Sequence, residues 1–251
     1  MTSGSVSSTE VHRGPYVIST DPALTIRLLQ IANAAFFKLS QKVSSVSEAL
    51  AVLGLAQVRA MASAAATGTS LRGVPGIKLQ QFWNYSLNVA RVSRSLAGVV
   101  RQNQQAAFTC GLIHAMGELT MHMVMPQEMA ALNKELPVLD LHRARVEQRE
   151  FGFTYAQVGA GFARKWLFPE AMSDALEHQI EPFMKDVYEP LAGVIHLATW
   201  RARAREADMS PRGLAVTFPG EVGEVLSLDI DMVLQQDPFD WGTPGSSRSD
   251  K

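Results

Sequence analysis

This 251-residue chain has six histidines and a single cysteine. Two of them fall in one stretch, Cys110-Gly111-Leu112-Ile113-His114-Ala115-Met116-Gly117-Glu118-Leu119. His114 offers an imidazole, but the residue after it is Ala115. A divalent cation needs deprotonated oxygens or imidazoles converging on it, and a methyl group supplies neither. His122 lies two helical turns further on, beyond the three- or four-residue spacing that joins ligands on one helix. Cys110 and His114 are four apart and can meet on one face, yet no other activating neighbour stands near the thiol. A buried core thiol is the plainer expectation for Cys110, and a hydrogen-bonded buried imidazole for His114. His196 is expected as a packed helix residue, and His12 and His142 carry no signal.

Asn33 sits on an apolar stretch between Ala32 and Ala34. A buried amide there must find partners or lose about 1–3 kcal/mol. It therefore reads as a structural clamp on the following loop. Arg91 and Arg94 share a helical face and can hold a phosphate. Arg201, Arg203 and Arg205 alternate, which spreads them around a helix. Arg143, Arg145 and Arg149 interleave with Glu147 and Glu150, the pattern of a solvated face. Gly73-Val74-Pro75-Gly76 lacks the lysine and the strand–helix setting of a phosphate-cradling loop. No interleaving of aromatic and basic residues marks a single-strand binder.

Composition narrows the classes further. Hydrophobic residues make up 47% and charged residues 19%, so a substantial core can form. The 23 basic and 24 acidic side chains give a net charge of −1, with no global field towards nucleic acid or an anionic membrane. No apolar run approaches the ~18 residues of a membrane span, and Met1 to Tyr16 lacks an export signal. The expected location is the cytoplasm.

The elements that must position these residues are helical almost throughout. Residues 1–20 form a loose lead-in and 237–251 a loose tail. Asp21 can cap a helix opened by Pro22, along which Leu24, Leu28, Ile31 and Ala35 trace one stripe. Ser45 to Glu48 fits a capping box, and Gly54 is the expected stop. A short helix, Leu55 to Thr67, follows, with Ala62 and Ala64 to Ala66 allowing close approach. The break at Leu71 to Gly76 separates this front part, 21–70, from a rear part, 77–236. Helical patterns there run over about 79–100, 104–124 and 127–136. Thr154 to Gln157 reads as a second capping box, Pro169-Glu170 opens another helix, and 187–207 a further one. Leu214 to Phe218 is the best candidate for a strand. The fold class is all-α, a multi-helix bundle in two subdomains.

Asp21 to Phe37 and Ser44 to Arg59 together resemble the HDOD family, the HD-related output domains of bacterial signalling proteins. The later segments F-W-N-Y-S-L-N-V-A, G-L-I-H-A-M-G-E-L, T-Y-A-Q-V-G-A, K-W-L-F-P-E-A-M-S-D-A-L-E-H-Q and V-I-H-L-A-T keep its order and spacing. The resemblance runs from about Asp21 to Leu234, with the opening helix before Asp21 shortened or missing. It implies an HD-like helical core. Catalytic HD-type relatives would have a His at Tyr85 and a His–Asp pair at His114-Ala115. They would have further His near Tyr155 and around His178-Gln179, a final Asp near Thr199, and often a Lys at Glu118.

Only His114 and His178 keep ligand chemistry, because Tyr and Thr hydroxyls hold their protons at neutral pH. Two imidazoles without a carboxylate are too few for a water-activating centre. The resemblance thus implies a non-catalytic regulatory module with no metal and no cofactor. It would act on other signalling proteins, with a small nucleotide-like ligand in a vestigial cleft of Tyr85, His114, Tyr155, His178 and Thr199. The rival readings are a metal-dependent phosphohydrolase with atypical ligands, a nucleic-acid-binding regulator, and an interaction scaffold with no ligand.

Overall fold

A computed structural model describes residues 21–34, 41–58, 60–61, 73–183 and 189–236. Among the described residues the regular structure is helical, apart from one isolated antiparallel bridge, Val74 to Ile77, at the Gly76 turn. The all-α expectation holds. The lead-in before Asp21, the tail after Gln236 and the alanine-rich part of the expected Leu55–Thr67 helix lie outside the described residues.

Helix α1 (Pro22–Ala32) starts where the Asp21 carboxylate accepts the Leu24 N–H at 3.0 Å, with Pro22 in the first turn. Its end is held by Asn33, whose Nδ2 donates to Val43 O at 2.9 Å while Oδ1 accepts the Val43 N–H at 2.7 Å. One amide thereby satisfies both backbone groups of a residue ten positions on. Helix α2 (Val46–Leu53) is capped by Ser45 Oγ, which accepts the Glu48 N–H at 3.2 Å. The return bond differs from the expected box: Glu48 takes the N–H of Ser44, at 2.7 Å, one residue earlier. Gly54 closes α2 at φ 79°, a conformation that side chains with a Cβ resist. Lys42 ties this front part to the rear by donating from Nζ to Leu167 O at 2.9 Å.

In the rear part, α3 (Leu79–Val99) lies along α4 (Gln104–Ile113), which is capped by Asn103. The stretch 104–124 is not one helix as its apolar spacing suggests. Ala115, at φ −106° and ψ 17°, breaks it, and α5 (Met116–Val124) sets off anew. Two glycines on either side of the break show what the bend achieves. A Cβ on Gly111 would lie 2.8 Å from Ala90 Cα in α3, and one on Gly117 would lie 1.9 Å from Tyr155 O. The chain turns here so that its two halves can press against different backbones.

Helices α6 (Pro126–Glu135), α7 (Arg143–Phe151), α8 (Tyr155–Lys165) and α9 (Glu170–His178) follow. Thr154 and Gln157 form the reciprocal box at the start of α8, the Thr154 N–H donating to Gln157 Oε1 at 2.9 Å. Helix α10 (Pro190–Glu206) is the axis of the rear part, flanked by α3, α4 and α9 and by the later α12 (Gly220–Leu226) and α13 (Ile230–Gln235). Its buried residues run from Leu191 to Ala204 on every side, as expected for a helix surrounded by others.

Leu214 to Thr217 is helix, not strand, and Phe218 follows as its C-cap. The helix is α11 (Pro211–Thr217), where Ser210 Oγ accepts the Gly213 N–H at 3.2 Å. A proline behind a serine cap starts a helix, and five residues of alternation do not outweigh it. No described helix is long and apolar enough to cross a membrane.

Candidate functional site

Arg203, in the last turn of α10, reaches into the space where the expected site residues converge. Its Nε donates to Tyr85 OH at 3.1 Å and its Nη2 to Tyr155 OH at 3.3 Å. Nη1 donates to the backbone oxygen of Asp140 at 2.8 Å. The guanidinium carbon also stands 5.9 Å from the Tyr85 ring centre and 5.5 Å from that of Tyr155. Arg203 is 5% exposed, Tyr155 1% and Tyr85 fully buried. The chain's own cation therefore fills the ground between two positions that the resemblance assigns to metal ligands.

The hydrogen-bond chain continues into His114. Its Nδ1 lies 2.7 Å from Gly111 O, and its Nε2 lies 2.9 Å from Tyr85 OH. A carbonyl only accepts, so Nδ1 carries the proton and the Nε2 lone pair receives the Tyr85 hydroxyl. Burial, with the Arg203 charge adding to it, lowers the His114 pKa to about 3. Burial also raises both tyrosine hydroxyls above their ordinary value, although Arg203 pulls against it. The array is thus a neutral imidazole, two neutral phenols and one fixed cation. Cys110 takes no part: it is fully buried, and burial raises its thiol pKa.

Above Arg203 opens a cleft of about 420 Å³. Tyr155, Gln179, His196, Thr199 and Arg203 line its polar side, with Trp200 and Val216 on the apolar wall. Gln179 is 2% exposed and joins three elements. Its Nε2 donates to His114 O at 3.0 Å and Leu176 O at 2.8 Å, and its backbone oxygen accepts from His196 Nδ1 at 2.8 Å. Its Oε1 is buried without a partner in the protein. Burial lowers the pKa of His196.

Of the residues expected in the cleft, Tyr155 and Thr199 line it. Tyr85 and His114 lie beneath, joined to it through Arg203. His178 is not among the lining residues; its Nδ1 contacts Asp174 O on its own helix at 2.9 Å, and the neighbouring Gln179 turns inward instead. Arg91 and Arg94 do not line the cleft either. Arg203 itself escaped the sequence reading, being one of three alternating arginines. The available signal was its setting, Ala202-Arg203-Ala204 in a helix apolar on every side.

A second buried polar group backs the first. Arg143 and Glu147, read from sequence as part of a solvated face, are both fully buried. Only Arg145, Arg149 and Glu150 of that set face solvent. Arg143 Nε donates to Glu147 Oε1 at 3.2 Å, and Arg143 Nη2 lies 2.7 Å from Glu118 Oε1. Glu147 Oε2 accepts the Tyr155 N–H at 2.8 Å, which fixes the start of α8. Burial first, then the Glu147 carboxylate, pushes the Glu118 carboxyl well above its ordinary pKa, against the pull of Arg143 and Arg203.

These residues do not fit a metal centre. Among the described residues no three His, Cys, Asp or Glu side chains come together as ligands. Of the two imidazoles that keep ligand chemistry, His114 has its lone pair engaged by Tyr85 and His178 is not among the residues lining the cleft.

Comparison with known proteins agrees with this architecture. Over 209 residues, 80% of its length, the chain is 24% identical to an uncharacterised protein of Treponema pallidum. The chain spans 40% of the length of that relative. The MmoQ response regulator of Methylococcus capsulatus matches with a TM-score of 0.73 at 23% identity, over 93% of this chain and 91% of that one. An HDOD domain protein of Geobacter sulfurreducens matches with a TM-score of 0.53 at 20% identity, over 94% and 83%. At these identities the likeness is one of fold. The HDOD domain profile matches residues 5–182, well over half of the sequence, and the chain belongs to the HDOD domain family.

Proposed function

We propose that this chain is a non-catalytic signalling module of the HDOD type that works in the cytoplasm and relays a regulatory state to other signalling proteins. The cleft over Arg203 is retained as a pocket for a small ligand. The observation that carries this reading is the guanidinium held between Tyr85 and Tyr155. A hydrolytic centre of the HD type must lower the pKa of a bound water, which needs an open coordination position on a metal. An arginine with its donors turned to two phenols and a carbonyl offers none.

The test is to assay the purified protein with manganese, iron, magnesium or zinc against phosphodiester and nucleotide substrates, with metal content measured in parallel. Background rates and sub-stoichiometric metal are expected. Metal-dependent turnover, or stoichiometric metal lost in His114→Ala, would overturn the reading in favour of a phosphohydrolase.

A further inference from the structure

The floor of the cleft carries a charge that no acidic group in contact with it neutralises. Arg203 meets only neutral acceptors: two phenol oxygens and one carbonyl. No carboxylate of the described residues forms an ion pair with it, for the acids nearby are committed elsewhere. Glu147 and Glu118 belong to Arg143. Asp140 offers Arg203 its backbone oxygen, while its carboxylate accepts the His142 N–H at 2.8 Å and lies 3.2 Å from His142 Nδ1. A buried cation without a counter-charge is expensive, and proteins tolerate one chiefly where something else completes it.

The donors at the floor are not exhausted. A guanidinium has five N–H groups, and Arg203 directs three of its bonds at protein acceptors. The Tyr155 oxygen accepts from Arg203, which leaves its own proton to donate. Beside this cationic corner lies the opposite chemistry, the unpartnered Oε1 of Gln179. Trp200 and Val216 add apolar surface to the lining. At about 420 Å³ the space suits a ligand of mononucleotide size.

We propose that the cleft takes a small organic anion, its carboxylate or phosphoryl group seated on Arg203 and the Tyr155 hydroxyl and a donor group turned to Gln179 Oε1. The proposal rests on the cleft being a ligand pocket and adds the ligand's charge and polarity. Val216 supplies a clean handle on that charge. It lies on the wall of the cleft and is 77% exposed, so a polar replacement there leaves the core untouched.

Titration calorimetry of the whole chain with AMP, adenosine, inorganic phosphate and acetate tests the proposal. AMP should bind saturably and adenosine at least about ten-fold more weakly, with phosphate and acetate each competing at millimolar concentration. Which of the two competes better tells a phosphoryl from a carboxylate ligand. Val216→Glu should weaken AMP about three-fold or more and Val216→Lys strengthen it, with the difference shrinking as salt rises. Arg203→Met should abolish the preference for AMP, and the Val216 pair keeps the test decisive where that variant folds poorly. Saturable binding of none of the anions, adenosine equal to AMP, or no effect of charge at Val216 overturns the anion proposal. Adenosine binding as tightly as AMP would still leave the pocket a ligand site. Metal-dependent release of phosphate from AMP would instead remove the non-catalytic reading.

Discussion

The Nε–H of Arg203 points at the hydroxyl of Tyr85, 3.1 Å away and 118 positions earlier in the chain. That hydroxyl in turn donates to His114 Nε2, at 2.9 Å. The Tyr85 hydroxyl therefore joins a permanent charge in the rear bundle to the His114 imidazole and occupies the Nε2 lone pair. The electrostatics of the cleft floor follow from this arrangement.

Arg203→Met should destabilise the protein by about 2 kcal/mol, measured by urea unfolding. Three charge-assisted bonds are lost, and the removal of an unneutralised buried charge offsets part of that loss. Arg203→Lys should not restore wild-type stability, because an ammonium cannot span both phenols and the Asp140 carbonyl as a planar fork does. Equal stability of the lysine variant and the wild type would contradict this account.

Gly117→Ala and Gly161→Ala should behave oppositely. A Cβ at Gly117 would sit 1.9 Å from the backbone oxygen of Tyr155, whereas at Gly161, inside α8, it meets nothing within 4 Å. The first should lose about 2 kcal/mol or more through forced separation of α5 from α8. The second should gain a few tenths to about 1 kcal/mol from lower unfolded-state entropy. Thermal melting of the two variants side by side decides the matter.

Acid should unfold the protein partly through its histidines. The His114 imidazole has its pKa lowered to about 3 in the native state, against about 6.5 in an unfolded chain. Between those values the unfolded chain binds a proton that the native one refuses, so stability falls as pH drops below about 6.5. His122 and His196, also lowered by burial, act in the same direction. His114→Gln should flatten the dependence of stability on pH between 7 and 4. An unchanged slope would show that His114 is not the buried neutral group described here.

Glu118 works from the other side. Its carboxyl keeps a proton well above the ordinary range, whereas the unfolded carboxyl ionises near pH 4.5. Stability from this group is present at low pH and declines as pH rises past that point. Glu118→Gln preserves the neutral shape and should lessen the decline as pH rises above about 4.5, followed by urea midpoints at increasing pH.

Asn33→Ala should loosen the front part by about 1–3 kcal/mol, since both backbone groups of Val43 lose their partner. Hydrogen exchange at the Val43 amide should rise in step, while exchange in α10 stays unchanged. Protection retained at Val43 would mean that Asn33 is dispensable.

Much of the local structure was legible before any tertiary contact. Asp21, Ser45 and Thr154 announce helix starts because a cap acts within three residues of itself, through bonds between neighbours in sequence. Apolar spacing likewise marks the long helices. What could not be seen locally is the break at Ala115, which serves the approach of Gly111 to α3 and of Gly117 to α8. The Arg143–Glu147 pair is similar: at i and i+4 it looks like any exposed helix pair until α8 closes over it.

The amino-acid sequence by itself determined the all-α class, the caps and stops that delimit the helices, and the absence of a carboxylate after His114. Those are properties of residue type and short-range spacing. Tertiary structure alone decided that Arg203, and not Arg205, turns inward to Tyr85 and Tyr155, and that Gln179 rather than His178 faces the cleft. Which side of a helix is buried depends on the helices packed around it, and partners more than a hundred residues away leave no local pattern behind.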